Sequence, residues 1–313
     1  MEFRQALAKA LAELMREDDK ICVLDADLSK PNGTSSLYKE FPDRCFDVGI
    51  AEANMVGVAA GLAAYGYKPI VVTFAPFATR RVCDQIAVSV AYAKQNVKIV
   101  GTDPGITAEL NGGTHMSFED IATLRSIPTM TIYDAVDDTQ VYQAIKQIMN
   151  TDGPCYIRMP RKAAQPVYDE NYKFALNKAD VITKGNDITI VASGIMVAES
   201  LKAVLKLKEE GISAELISAN TIKPLDEETI LNSIKKTNHV VTCENHNVIG
   251  GLYSAVSEML IEKYPLHVDK IAVMDQFGQV GKYSELLNYY HLTSNDIYNA
   301  VSYTHLTLPT KLE

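Results

Sequence analysis

The stretch FDVGIAEANMVGVAAGLAAYG, residues 46–66, holds one acid in its middle, Glu52, with Asp47 its only charged companion among small and apolar residues. Its spacing predicts a helix rich in Ala and Gly (Ala51, Ala53, Gly57, Ala59, Ala60, Gly61, Ala63, Ala64), against which a backbone or a planar ligand can lie closely. Two readings of Glu52 stay open. In one it sits in the first helical turn, favoured by the positive end of the helix dipole, and faces solvent. In the other it is buried at a subunit seam, where a carboxyl deprived of water becomes a proton donor or a strong partner for a ring nitrogen.

Other chemistry-bearing residues fall at expected strand ends. Asp25 and Asp27 in VLDADLSK follow an apolar run, the place where open α/β sheets bind ligands. Phe74 and Phe77 in TFAPFATRR follow the next such run, where aromatic faces can hold a flat heterocycle or simply pack in the core. The segment HVVTCENHNVIGGLY gathers His239, Cys243, Glu244 and His246, types that bind metals. His239 and Cys243 fall on an expected buried strand, and His246 lies in an expected loop entering a helix beside Gly250 and Gly251. Packing is therefore the reading taken, and no metal site is assigned. That helix start offers an anion site as the alternative.

The elements that must position these residues alternate. β-branched runs begin at Ile21, Pro69, Val97 and Thr129, separated by helix-length patterns, and the N-terminal stretch places Phe3, Leu7, Leu11 and Leu14 at helical spacing. From Met159 to Asp180 the rhythm breaks, and a second series of strands starts at Asp187, Ser213, His239 and Lys270. The expectation is an α/β protein of two domains, each a mostly parallel sheet with helices on both faces: 1–165, a linker over 166–180, and a smaller domain over 181–303. Residues 304–313 fit neither pattern and are taken as a disordered tail or cloning remnant. A formal net charge of -9 over 313 residues argues against nucleic-acid partners. No apolar run reaches the roughly 20 residues of a membrane span. Five scattered cysteines without a Cys-x-x-Cys pair suggest neither disulfides nor thiolate metal binding, which points to a reduced cytoplasmic setting.

Taken jointly, FDVGIAEANMVGVAAGLAAYGYKPIVVTF, NGGTHMSFEDIATLRSIP, DGPCYIRMPRK, IVASGIMVAESLKAVLKLKEEGISAELISANTIKPLD and ENHNVIGGLYSAVSEML resemble the C-terminal half of transketolase, its pyrimidine-binding domain plus C-terminal domain, from Met1 to Tyr303. The resemblance implies that Glu52 bonds a ring nitrogen of the aminopyrimidine of thiamine diphosphate and so promotes formation of the thiazolium ylide. It implies that Phe74 and Phe77 flank that ring, with Arg80 where a third aromatic is usual, and that Asp27 lies beside the cofactor while Asp25 is structural. His115 matches a catalytic-site histidine that contacts donor hydroxyls, and Arg4 and Arg161 match arginines that bind the substrate's terminal phosphate. Three positions depart from the family pattern. Asn111 stands for a substrate-reading aspartate, Met116 for a glutamine, and Asp103 for a phosphate-contacting histidine, where a free carboxylate would repel phosphate.

The Gly-Asp-Gly motif and paired asparagines with which the family builds its Mg²⁺-bridged diphosphate site do not occur. The resemblance therefore implies one half of a split enzyme. A separate N-terminal transketolase subunit would supply the diphosphate and Mg²⁺ site, this chain would pair with its own copy, and the assembly would be an α2β2 heterotetramer acting on sugar phosphates. The rival readings are a deoxyxylulose phosphate synthase-like subunit and a non-catalytic transketolase-like regulatory or binding subunit.

Overall fold

The computed structural model describes residues 1–306, with side chains through residue 302. Twelve strands form among them: β1 (Ile21–Asp25), β2 (Cys45–Asp47), β3 (Lys68–Phe74), β4 (Lys98–Thr102), β5 (Thr131–Asp134), β6 (Cys155–Met159), β7 (Asp180–Thr183), β8 (Ile188–Ala192), β9 (Ala214–Ser218), β10 (Thr221–Lys223), β11 (Val240–Asn247) and β12 (Asp269–Val273). They make a seven-stranded sheet in the order β10-β5-β6-β4-β3-β1-β2 and a five-stranded sheet in the order β12-β11-β8-β9-β7. Pairing is parallel except at two edges, β10 on β5 and β7 on β9. Strands β1, β4, β6, β8 and β9 are buried along their whole length, as parallel strands covered on both faces must be.

Apolar spacing decides what covers each face. Phe3, Leu7, Leu11 and Leu14 lie on one side of the Phe3–Glu17 helix and pack with Val141 and Ile145 of the Asp138–Met149 helix over Val23, Ile70, Val72 and Val100. The opposite face of the first sheet carries Met55 and Val56 of the Glu52–Ala64 helix in a core that continues to Ile217, Ile230 and Val256 of the second half. A third core packs Met196, Leu207 and Ile297 on Ile190 and Leu216.

The two sheets are also tied by buried charge. Arg158 on β6 is fully buried and donates through Nε to Asp120 (2.7 Å), through Nη1 to Asp134 (3.2 Å) and through Nη2 to the Asn245 carbonyl (2.7 Å). Ser193, just after β8, donates to Asp134 at 2.9 Å. The Asn245 side chain closes the seam by accepting from the Ile106 amide and donating to the Pro104 carbonyl. Across 166–180 the chain folds onto the first half: Tyr168 and Tyr172 stack at 3.8 Å, and Phe174 is buried against Tyr133. Of the tail expected over 304–313, residues 304–306 close the Ser294–Leu306 helix and the rest lies outside the described residues.

The metal-type segment resolves differently from its sequence reading in three details. His239 precedes β11 and is only half-buried, whereas His246 lies within that strand, fully buried. Glu244 accepts from the Leu252 and Tyr253 amides, so the helix start that could have taken an anion is filled by the chain's own carboxylate. Burial pushes Glu244 up to about 7 and His246 down to about 4, which leaves the imidazole neutral, accepting from the Ala122 amide and bonded to the Asn247 carbonyl. No group of three or more His, Cys, Asp or Glu side chains among the described residues is arranged to hold a metal.

Candidate active site

Glu52 opens the Glu52–Ala64 helix, the first charge after a loop that leaves β2. Its side chain is 5% exposed, so the solvent-facing reading does not hold for this residue. The small-residue face of the same helix is turned away from the chain. Ala53, Asn54, Gly57, Val58 and Gly61 are exposed, and a Cβ added at Gly57 or Gly61 would meet nothing. The close packing that these residues invite is therefore not used within the chain.

Opposite Glu52 the chain leaves β3 at Phe74 and turns through the one-turn Ala75–Ala78 helix, which presents Phe77. The Phe74 and Phe77 ring centroids lie 6.0 Å apart, and His115 meets both edge-on, at 6.2 and 5.2 Å. His115 sits in the loop after the 3-10 segment Gly105–Asn111, where its Nδ1 is 2.7 Å from the Thr114 hydroxyl. Arg80, which stands where a third ring was expected, does not line the pocket with an aromatic face. It clamps the His115 loop instead, bonding Glu119 at 2.7 Å and the Thr114 carbonyl at 3.2 Å.

On the far side of the rings stands an arginine cluster. Arg161 lies with Cζ 4.8 Å over Phe74, its Nε 2.5 Å from Asp103 Oδ2 and its backbone amide 2.8 Å from Oδ1. The Arg4 amide bonds the Arg161 carbonyl, and its guanidinium is held by Glu2 and the Pro31 carbonyl. Asp103 is thus no free negative charge: burial lifts its carboxyl above the ordinary range, against the pull of Arg161 beside it. The expected repulsion of a bound anion is corrected by that partner.

Phe74, Phe77, His115, Asp103, Arg161 and Arg4 form one connected chain of contacts, which Glu52 joins through Arg81. Among the described residues, Asp27 and Asn111 make no hydrogen bond or ring contact to it. Asp27 is exposed, with φ of 58°, and its amide is held by Asp47. Asn111 is exposed at the end of its 3-10 segment. Asp25 is fully buried at the end of β1, accepting from Thr34 at 2.7 Å and Tyr38 at 3.3 Å, and burial pushes it up to about 6.

The residue that sequence reading missed is Arg81. It donates from Nη1 to Glu52 Oε1 at 2.5 Å and places Cζ 3.7 Å over the face of Phe77. The only signal in the sequence was an unexplained second arginine after FAPFAT.

Residues 1–166 match the family model described as transketolase, pyrimidine binding domain, and residues 177–297 that of transketolase, C-terminal domain. The chain belongs to the transketolase family. It is 50% identical over 297 residues to the 6-deoxy-6-sulfo-D-fructose transketolase subunit SqwH of Clostridium sp. (strain MSTE9), covering 95% of this chain and 92% of that protein. It is 35% identical to an apulose-4-phosphate transketolase subunit of Phocaeicola vulgatus, covering 94% of each. Human transketolase is 34% identical, and there the match spans 95% of this chain but 48% of that protein. A solved structure described as a split gene transketolase, inactive beta4 tetramer, superposes with a TM-score of 0.89 at 42% identity and 98% coverage of both chains.

Transketolases as a family depend on thiamine diphosphate, and the groups around Glu52 are of the kind that the aminopyrimidine end of that cofactor would need. A buried carboxylate offers an acceptor for a ring or exocyclic N–H, an aromatic face lies beside it, and a planar nitrogen group of this transketolase chain, the Arg81 guanidinium, already satisfies both at once.

Proposed function

We propose that this chain is the pyrimidine-side subunit of a split, thiamine-diphosphate-dependent ketol transferase. It works with a separate chain that supplies the diphosphate and Mg²⁺ site, and transfers a two-carbon unit from a ketose to an aldose whose far ends are anionic. The observation that carries this reading is the buried Glu52 carboxylate beside the Phe77 face. When bound, the cofactor supplies the carbanion chemistry and electron sink. Glu52 orients the aminopyrimidine and holds a proton at its ring nitrogen, Phe74 and Phe77 keep that ring flat and dry, and His115 reaches donor hydroxyls at the edge of the rings.

Arg161 and Arg4 bind the substrate's anionic end, with Asp103 fixing the Arg161 guanidinium. Relatives named for a sulfonated fructose and for apulose 4-phosphate support a sugar with a terminal anion and leave sulfonate and phosphate as the two chemistries to compare. Dependence on a second chain is supported by a relative described as an inactive beta4 tetramer, and by the open small-residue face of the Glu52–Ala64 helix with Ile50 and Tyr65 exposed at its ends.

The test is to copurify this chain with a candidate partner carrying Gly-Asp-Gly, titrate thiamine diphosphate with Mg²⁺ by calorimetry, and assay two-carbon transfer. The donors are fructose 6-phosphate, 6-deoxy-6-sulfofructose and, for the synthase-like alternative, pyruvate. Cofactor binding with ketose turnover supports the proposal. Pyruvate turnover alone, or no cofactor binding in the assembly, overturns it.

A further inference from the structure

Arg81 belongs to the 3-10 turn Arg80–Val82, directly after the helix that presents Phe77. Its guanidinium meets two surfaces together: Glu52 Oε1 at 2.5 Å through Nη1, and the Phe77 ring at 3.7 Å from Cζ. These are the two surfaces that the proposed function gives to the aminopyrimidine. A guanidinium and a protonated aminopyrimidine share the features such a seat reads: a flat π-system to stack, and N–H donors in its plane to reach a carboxylate. One side chain of this protein therefore already makes the cofactor's contacts.

We propose that Arg81 is a gate on the cofactor seat, occupying the place of the aminopyrimidine until the cofactor displaces it. The inference rests on the ketol-transferase reading, because Glu52 and Phe77 define the seat. Its physical logic is an exchange of partners. A carboxylate as buried as Glu52 is costly to leave without a donor, and Arg81 supplies one while the seat waits. The arginine side chain is 44% exposed, so it can withdraw into water without becoming a buried charge itself, and the incoming cofactor then supplies the donor that Glu52 needs. Its neighbour Arg80 stays clamped on Glu119 and the His115 loop, which anchors the turn while Arg81 swings. Because the seat accepts the cofactor only when Arg81 is out, the apparent affinity is the intrinsic affinity reduced by the fraction of open chain.

The test measures thiamine diphosphate binding with Mg²⁺ by calorimetry in the two-chain assembly, for wild type, Arg81→Gln, Arg81→Ala and Glu52→Ala, with far-UV circular dichroism confirming each fold. Removing an ion pair whose arginine is half-exposed and competes with the cofactor should tighten binding by about fivefold in both Arg81 variants. Arg81→Lys keeps the charge but cannot stack and donate in one plane, so it should fall between wild type and Arg81→Gln. Binding detectable only in the Arg81 variants would support the gate most directly. If both Arg81 variants bind as wild type does or more weakly, while Glu52→Ala loses binding, the gate is overturned and the cofactor seat stands. If no assembly binds the cofactor, the seat itself is overturned, and the gate with it.

Discussion

Asp103 and Arg161 are joined twice, by the Arg161 amide to Oδ1 at 2.8 Å and by Nε to Oδ2 at 2.5 Å, and this double contact sets the arginine over Phe74. A guanidinium anchored through Nε leaves its Nη groups to face a ligand, the bidentate edge that phosphate and sulfonate groups fit. With Asp103 fixed to it, the proposed anion site carries less net positive charge than two bare arginines would.

Arg161→Ala should weaken binding of the ketose donor and spare the chemical step. Hydrogen bonds to charged groups contribute about 1.5–3 kcal/mol each, so the donor KM should rise roughly ten- to hundredfold with kcat little changed. Steady-state kinetics on the reconstituted assembly measure this split. A fall in kcat at constant KM would assign Arg161 another role.

Glu52→Ala should fold and lose turnover. Its ion-pair partner Arg81 is half-exposed and returns to solvent, so no buried charge is orphaned. Loss of a positioned acid–base group costs about 10²–10⁴ in rate. Near-wild-type kcat in an assembly whose circular dichroism is unchanged would remove Glu52 from the site.

Arg158→Ala should be among the most destabilising substitutions in the chain. It leaves Asp120 and Asp134 buried without their shared cation, a loss of about 3–5 kcal/mol for a broken buried pair. Urea unfolding reads this directly, and a loss under about 1 kcal/mol, the range of an exposed pair, would contradict the seam as described.

Asp25 should make stability depend on pH in a defined sense. Its folded pKa, about 6, lies above the ordinary value of 3.8, so the native state binds the proton more tightly than the unfolded chain. The stability this confers is full below about pH 4 and is lost as pH rises to about 6, on the order of 3 kcal/mol in all. Glu244 acts in the same sense and His246 in the opposite one, so the comparison must be made between wild type and Asp25→Asn. Wild type should lose stability relative to the variant from about pH 4 to about pH 6 in thermal melts. Parallel pH profiles would exclude the assignment.

Much of the architecture was legible in the chain itself. The spacing of Phe3, Leu7, Leu11 and Leu14 specified one buried helical face, and the β-branched runs marked the strands that are buried on both faces, because periodicity and burial are local consequences of side-chain type. Short edge strands were not legible. β2, β7 and β10 have three or four residues each, and β10 pairs back onto the first sheet from within the second half, a long-range choice no local pattern encodes. The aromatic and acidic residues of the candidate site could be named from their motif. Which of them touch could not: Asp27 and Asn111 were named from sequence beside them, yet among the described residues neither makes a hydrogen bond or ring contact to the cluster.

The sequence by itself determined the α/β class, the buried faces, and the presence of an isolated acid in a helix of small residues. Only tertiary structure decided who partners each charge: Arg81 on Glu52, Arg161 on Asp103, Arg158 between Asp120 and Asp134. The reason is range. A helix or strand follows from neighbours a few residues apart, whereas a buried ion must be matched by whatever the completed fold brings within about 3 Å of it.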